Sequence, residues 1–414
     1  MNASTVTRQN TPNPASGLMM KASVLCDIGR VEVRDVPRPS ILPHEVLVKV
    51  CAVGLCGTDA HIFAGHANYN TNEDGTPIPL TLQPQILGHE ITGEIEEVGA
   101  AVTDCLIGDY VVIDQGINCV SRQQETLCEY CITNDSHQCE FYREHGITGL
   151  PGGLAEFIAV PSVNTIKVTT SLDFSEAALV EPLGCIIHSS NSVAKIPARF
   201  GLRADAREGR VRNVLVCGAG PSGLLFTQYL RRVVGYEGGL FVADPNLLKR
   251  ELAKEFGADA TIDPATSDLS EAIHEYTGGK GVEYLIEASG SGEVLSSIPR
   301  LIRKQATVLL YGHGHARTEA SVLSNLFFKE PILVTPVGAS GGFDSDGRPL
   351  VYRRALNLLQ EKIVNVRSFI THRFNTFEDV ETALSREMHS KSYVKGVVVL
   401  QNRPPGSVAG VSEA

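Results

Sequence analysis

Three short stretches of this chain carry residue types that bind metals or move protons. Cys56-Gly57-Thr58-Asp59-Ala60-His61 comes first, Gly88-His89-Glu90 follows across a polar loop, and Glu181-Pro182 lies further on. A thiolate, an imidazole and a carboxylate together suit zinc with one coordination position left open. Taken singly, each has a plainer explanation. Cys56 can be a small buried apolar group, His89 a satisfied turn histidine, and Glu181 an acid at a helix N-terminus. A fourth stretch holds Cys119, Cys128, Cys131 and Cys139, four of the ten cysteines. The polar N-terminal text has no apolar leader, so the thiols are expected in a reducing, cytoplasmic compartment. There, clustered cysteines bind metal more often than they pair.

Gly218-Ala219-Gly220-Pro221-Ser222-Gly223 follows the apolar run VLVC and opens an apolar helical stretch. In that context GxGxxG reads as a dinucleotide turn. Gly218 allows the tight bend, Gly220 admits a pyrophosphate to the backbone N–H groups, and Gly223 lets helix and strand pack closely. Pro221 and Ser222 belong to the same turn. Asp244 ends the next run, LFVAD, where a carboxylate accepts hydrogen bonds from a ribose diol and repels a 2′-phosphate. NAD is therefore expected over NADP, a preference that Lys249 and Arg250, a turn further on, would soften.

These groups need a scaffold, and 414 residues are too many for one ordinary core. Hydrophobic residues at 43% and charged residues at 20% are those of a globular protein, and the net charge of -11 argues against nucleic-acid or anionic-membrane partners. No apolar run reaches the ~18 residues that span a bilayer. Alternating apolar and polar residues from Lys21 to about 180 predict short antiparallel strands. From 184 to 338 apolar runs alternate with helical text, which predicts a parallel sheet. The expected organisation is a disordered tail over 1–19, a β-rich domain over 20–183 and 339–414, and an inserted dinucleotide domain over 184–338. The cysteine lobe falls at about 115–145. The arginine-rich stretch 198–213 is expected to be a surface loop. Cys26, Cys51, Cys105, Cys185 and Cys217 lie in apolar text and are expected to be core thiols.

CGTDAH, ILGHEITGEIEEVG, IGDYVVI, GGLAEFIAV, EPLGCIIH and VCGAGPSG follow one another between about residues 21 and 400. On these motifs the chain resembles the zinc-dependent medium-chain dehydrogenase/reductases, nearest in texture to the polyol (sorbitol-like) and threonine dehydrogenases. The resemblance implies an α/β fold in which a GroES-like catalytic domain joins a Rossmann domain, with the active site between them. It implies two zinc ions per chain, NAD, a small-molecule alcohol substrate and a homodimer or homotetramer. Cys56 and His89 are then catalytic zinc ligands. Glu90 is a ligand or the carboxylate behind one, and Glu181 stands where relatives place a third protein ligand. Thr58 takes the substrate's proton, His61 passes it to water, and Asp59 orients the loop.

The implied reaction moves a hydride between nicotinamide and a secondary alcohol (a polyol, a sugar-derived alcohol or a β-hydroxy amino acid) and gives a ketone. Two other readings compete. One is a reductase of the same superfamily, against which CGTDAH, GHE and EP speak. The other is a zinc-retaining dinucleotide-binding protein without alcohol dehydrogenase activity, against which Thr58 and His61 speak. Relatives often space four lobe cysteines C-x2-C-x2-C-x7-C. Cys128, Cys131 and Cys139 fit that pattern, and Glu125 stands at the first position. Counting forward from GDYV reaches Cys119 instead, the preferred fourth ligand of a closed structural site. Its longer spacer costs about 1 kcal/mol of loop entropy. His188 is expected to pack near Glu181. His313 and His315 follow a sheet strand at its C-terminal end, where they border the cleft or lie in an ordinary loop. Part of the loop 66–83 should border the substrate.

Overall fold

The computed structural model describes residues 17–316, 318, 321–339 and 341–401. Most of the expected tail lies outside the described residues, and the first strand begins at Met19. Two sheets organise the chain. In the first, Glu45–Leu55 is central; its run EVLVKVCAVGL is buried along nearly its whole length, so it reads as apolar on both faces. On one side it pairs antiparallel with Glu90–Val98, which leads to Tyr110–Ile113 and Thr165–Lys167. On the other it pairs with Lys395–Val399, brought back from the far end of the chain, and this strand runs parallel to Ile370–Phe374. Val48, Val50, Ile91, Ile95 and Val111 form the core beneath it.

The second sheet has six strands, all parallel. Their spatial order is Ala260–Ile262, Gly239–Ala243, Asn213–Cys217, Val282–Glu287, Ile302–Leu310, Ile332–Val334. That is the doubly wound order, reversing direction beside Asn213–Cys217, where ligands bind at the carboxyl ends of the strands. The strand text VEYLIE is buried throughout because helices cover both faces.

Helix Val180–Ala194 joins the two sheets and is buried along its first ten residues. It packs on helix Leu350–Gln360. The boundary expected at 184 falls inside this helix, so one rigid rod carries Glu181 from the metal region into the second unit. The stretch 198–213 also differs from a simple surface loop. Phe200 and Val211 are buried in the main core. Arg199 and Arg303 lie over the Phe200 ring at 5.5 and 5.3 Å. Arg212 and Arg303 both pair with the buried Glu283 at 2.7 Å. Within the stretch, Arg199 thus meets an aromatic ring and Arg212 a buried acid. Among the described residues no helix is long and apolar enough to cross a membrane.

Candidate metal and cofactor sites

Cys56 caps the short helix Gly57–Phe63, which carries Thr58, Asp59 and His61. Asp59 is fully buried and ties the local chain together. Its Oδ2 accepts from the Cys56 N–H at 2.8 Å, and its Oδ1 accepts from the Gly88 N–H at 3.1 Å. Oδ1 also faces His89 Nδ1 at 3.4 Å. Burial would raise the Asp59 carboxyl, but His89 and these N–H donors hold it below its ordinary range. One acid thus fixes both loops, and ligand atoms of Cys56, His89 and Glu90 all lie within 4.8 Å of one another.

Strand register explains how Glu90 reaches this point. Glu90 pairs with Gly54 across the sheet. A Cβ on Gly54 would lie 1.8 Å from Glu90 Oε2, so only glycine leaves room for the carboxylate. Glu90 Oε1 pairs with Lys395 Nζ at 2.6 Å, while buried Oε2 has no hydrogen-bond partner. Lys395 also donates to Leu55 O at 2.9 Å. Burial alone would strip its proton, but the Glu90 carboxylate and the Cys56 thiol outweigh that and raise its pKa.

Glu181 stands beside this group and outside it. Its Oε1 accepts from Gln115 Nε2 at 3.1 Å and from Cys185 Sγ at 3.2 Å. Gln115 is held in turn by the Tyr352 hydroxyl, a short bond across the interior. Burial pushes the Glu181 carboxyl up to about 7, with His89 pulling the other way. Thr58 Oγ1 is 3.7 Å from Cys56 Sγ. His61 lies a helical turn on, its ring 6.0 Å from that of His66. Its pKa is lowered by burial first, then by His66 and His313. His315 Nε2, two residues on from His313, bonds Glu287 at 2.8 Å. The His188 ring lies 4.6 Å from that of His137, tilted to it by 59°.

The lobe brings Cys119, Cys128, Cys131 and Cys139 together, their sulfurs within 4.8 Å of one another. Cys119 and Cys139 Sγ are 3.5 Å apart. Tetrahedral zinc with Zn–S near 2.3 Å sets sulfurs roughly 3.8 Å apart, so the cage suits that ion. The backbone supports thiolates here. Cys128 N–H points at Cys119 Sγ at 3.5 Å and Phe141 N–H at Cys139 Sγ at 3.4 Å. Against burial, the Cys131 and Glu140 N–H groups draw the Cys128 thiol down to about 6. All ten cysteines are free.

At the glycine turn each glycine has a separate task. Gly218 has φ +95, and a Cβ there would sit 2.9 Å from Ser289 N. A Cβ on Gly223 would sit 1.9 Å from Gly218 O, while Gly220 has nothing within 4 Å. The open space over Gly220, at the start of helix Pro221–Gln228, fits a pyrophosphate. Ser222 stands in the first turn of that helix. Asp244 follows its strand as expected, but both oxygens accept backbone N–H bonds at 2.8 Å, from Ala219 and Asn246. A carboxylate has about four acceptor positions, so capacity for a ribose remains. Lys249 sits on the helix Leu247–Glu255, its backbone N–H capped by Asn246.

Residues 42–170 match the alcohol dehydrogenase GroES-like domain, and residues 221–361 match the zinc-binding dehydrogenase family. The L-threonine 3-dehydrogenase of Pyrococcus abyssi (strain GE5 / Orsay) is 32% identical over 355 residues, covering 85% of this chain and 90% of that protein. The chain belongs to the zinc-dependent medium-chain dehydrogenase/reductase family. Another relative, sorbitol dehydrogenase 2 of Saccharomyces cerevisiae, is 29% identical over 386 residues, covering 91% of this chain and 97% of its own. The crystal structure of a zinc-binding dehydrogenase from Sinorhizobium meliloti 1021 bound to NADP superposes with a TM-score of 0.74 at 29% identity, covering 92% and 99% of the two chains.

Several groups that shape this family member's site carry no sequence motif. Gln115, Lys395 and Gly54 all act through contacts distant in the chain. The one available signal was Lys395, a lysine opening the otherwise apolar strand KGVVV.

Proposed function

We propose that this dehydrogenase moves a hydride between NAD and a secondary alcohol, taken from the polyols, sugar-derived alcohols or β-hydroxy amino acids, to give a ketone. The observation that carries the reading is the Cys56–His89–Glu90 group, half-buried at Cys56 and buried at the other two, with Thr58 and His61 on the helix that Cys56 caps. When bound, zinc there supplies Lewis-acid polarisation of the alcohol oxygen, and NAD supplies the hydride acceptor. Cys56, His89 and one or both of Glu90 and Glu181 would hold the metal, with Asp59 orienting the His89 ring through Nδ1. Thr58 Oγ1, beside Cys56, takes the hydroxyl proton. His61 is kept neutral by its lowered pKa and passes the proton to water.

The four lobe cysteines would hold a second, structural zinc. Gly218, Gly220, Pro221, Ser222 and Gly223 cradle the pyrophosphate, and Asp244 favours NAD over NADP, with Lys249 nearby. Cytoplasmic residence, supported by ten free thiols, belongs to the same reading. So does a homodimer or homotetramer, supported by Phe327 and Phe328 exposed at 75% and 85% beside the edge strand Ile332–Val334. The test is NADH absorbance with zinc-loaded protein across polyols, sugar alcohols, aldonates, inositols and L-threonine, with NADP run in parallel. NADH from at least one secondary alcohol is expected. A blank panel with both zinc ions bound would favour a non-catalytic dinucleotide-binding protein.

A further inference from the structure

The parallel strands begin at an edge of the sheet that the glycine turn does not use. Asn213, Val282 and Ile302 open three neighbouring strands there. Gly218 follows the far end of the first strand, roughly 16 Å away along it. Between the other two strands the pairing slips. Val282 faces Ile302 but Tyr284 faces Thr307, so residues 303–306 bulge out opposite Glu283, and Gln305 takes φ +59 within the bulge. Bulges re-aim side chains. This one carries Arg303 onto both the Phe200 ring and Glu283. The stretch 198–213 supplies the facing wall, with Arg199 on the same ring and Arg212 on the same acid.

Arg199, Arg212 and Arg303 enclose, with Phe200 and Glu208, a cavity of about 310 Å³. Its cationic charge exceeds what Glu283 needs. That buried carboxylate also accepts the N–H groups of Arg212 at 3.3 Å and Asn213 at 3.0 Å. With the guanidinium bonds, these fill the roughly four acceptor positions of a carboxylate. One arginine suffices to neutralise it, so two positive charges are left over. Arg199 spends one N–H on Gln305 Oε1 at 3.4 Å, and Arg303 spends one on Glu283. Among the described residues, Nε and Nη2 of both, and Nη1 of Arg212, meet no protein acceptor. Three arginines against two glutamates leave the cavity positive in a chain whose net charge is -11. Forked guanidinium donors match phosphate oxygens. The volume, at the low end for ligand pockets, leaves room for a small organic body beside the phosphate.

We propose that this cavity is a second ligand site, for a phosphate monoester whose oxygens Arg199, Arg212 and Arg303 hold. It lies at the opposite end of the strands from the glycine turn, so ester and dinucleotide bind together. The test is calorimetric titration of the zinc-loaded protein, saturated with NADH, with ethyl phosphate and with inorganic phosphate at constant ionic strength. One ester per chain should bind, at least as tightly as the inorganic ion. Arg199→Gln should weaken it at least about fivefold, less than a full charge-assisted hydrogen bond because Arg199 is exposed. Glu208→Gln, which removes a repelling charge from the rim, should tighten it. Absence of saturable binding, a smaller loss in Arg199→Gln or no gain in Glu208→Gln would overturn the proposal. So would tighter binding of the inorganic ion, or release of NADH by the ester, which would put the phosphate at the glycine turn.

Discussion

Replacing Lys395 by methionine probes how the metal region is held together. Lys395 is 2% exposed and Glu90 0%, and they meet at 2.6 Å. Methionine fills a similar volume but removes the charge and the bond to Leu55 O. Glu90 would then be a buried carboxylate with neither oxygen paired by protein. Breaking a buried pair from one side typically costs about 3–5 kcal/mol, whereas replacing both partners by neutral groups can be close to neutral. For a unit of roughly 150–250 residues, each kcal/mol lowers the melting temperature by about 2–4 °C, so the expected drop is roughly 6–20 °C. Adding Glu90→Gln to Lys395→Met should recover most of it. The assay is thermal melting with zinc analysis on each variant. A drop below about 2 °C, or a double variant no better than the single one, would refute the claim that Lys395 neutralises Glu90.

Other perturbations read separate parts of the molecule. Gly54→Ala should displace the Glu90 carboxylate, costing about 1–3 kcal/mol and lowering zinc occupancy; denaturant unfolding with metal analysis checks it. Cys119→Ser should lower zinc from two per chain to one, measured by elemental analysis, and an unchanged count would remove Cys119 from the cage. Burial, with Arg143 adding to it and the Pro151 carbonyl opposing, pushes buried His145 down to about 4. Because the unfolded chain takes the proton first, the resulting stability is complete above pH ~6.5 and falls as pH drops toward 4, by about 3 kcal/mol in all. Denaturant unfolding at pH 7.5 and 5 should show about 2 kcal/mol of that loss, and His145→Gln should flatten it.

The parts legible in the sequence are those whose cause is local. Gly218, Gly220 and Gly223 could be read because each spacing serves one steric task along a strand, turn and helix. Cys56, Thr58 and His61 could be read because one short helix presents them. Pairings that depend on register were not legible. Lys395 meets Glu90 across 305 positions, a contact that no spacing encodes. In 198–213 the arginines masked Phe200 and Val211, which supply the buried contacts. Asp244 was placed at the end of its strand, but its bonds to Ala219 and Asn246 follow from how the turn closes on itself.

The most direct measurement strips the protein of metal and follows NADH formation from a secondary alcohol as zinc is titrated back. The account predicts little activity until the catalytic group of Cys56, His89 and Glu90 fills, with turnover rising in step with that equivalent and reaching its plateau near two per chain. Full turnover in metal-free protein, or none at two equivalents with any secondary alcohol, would contradict it.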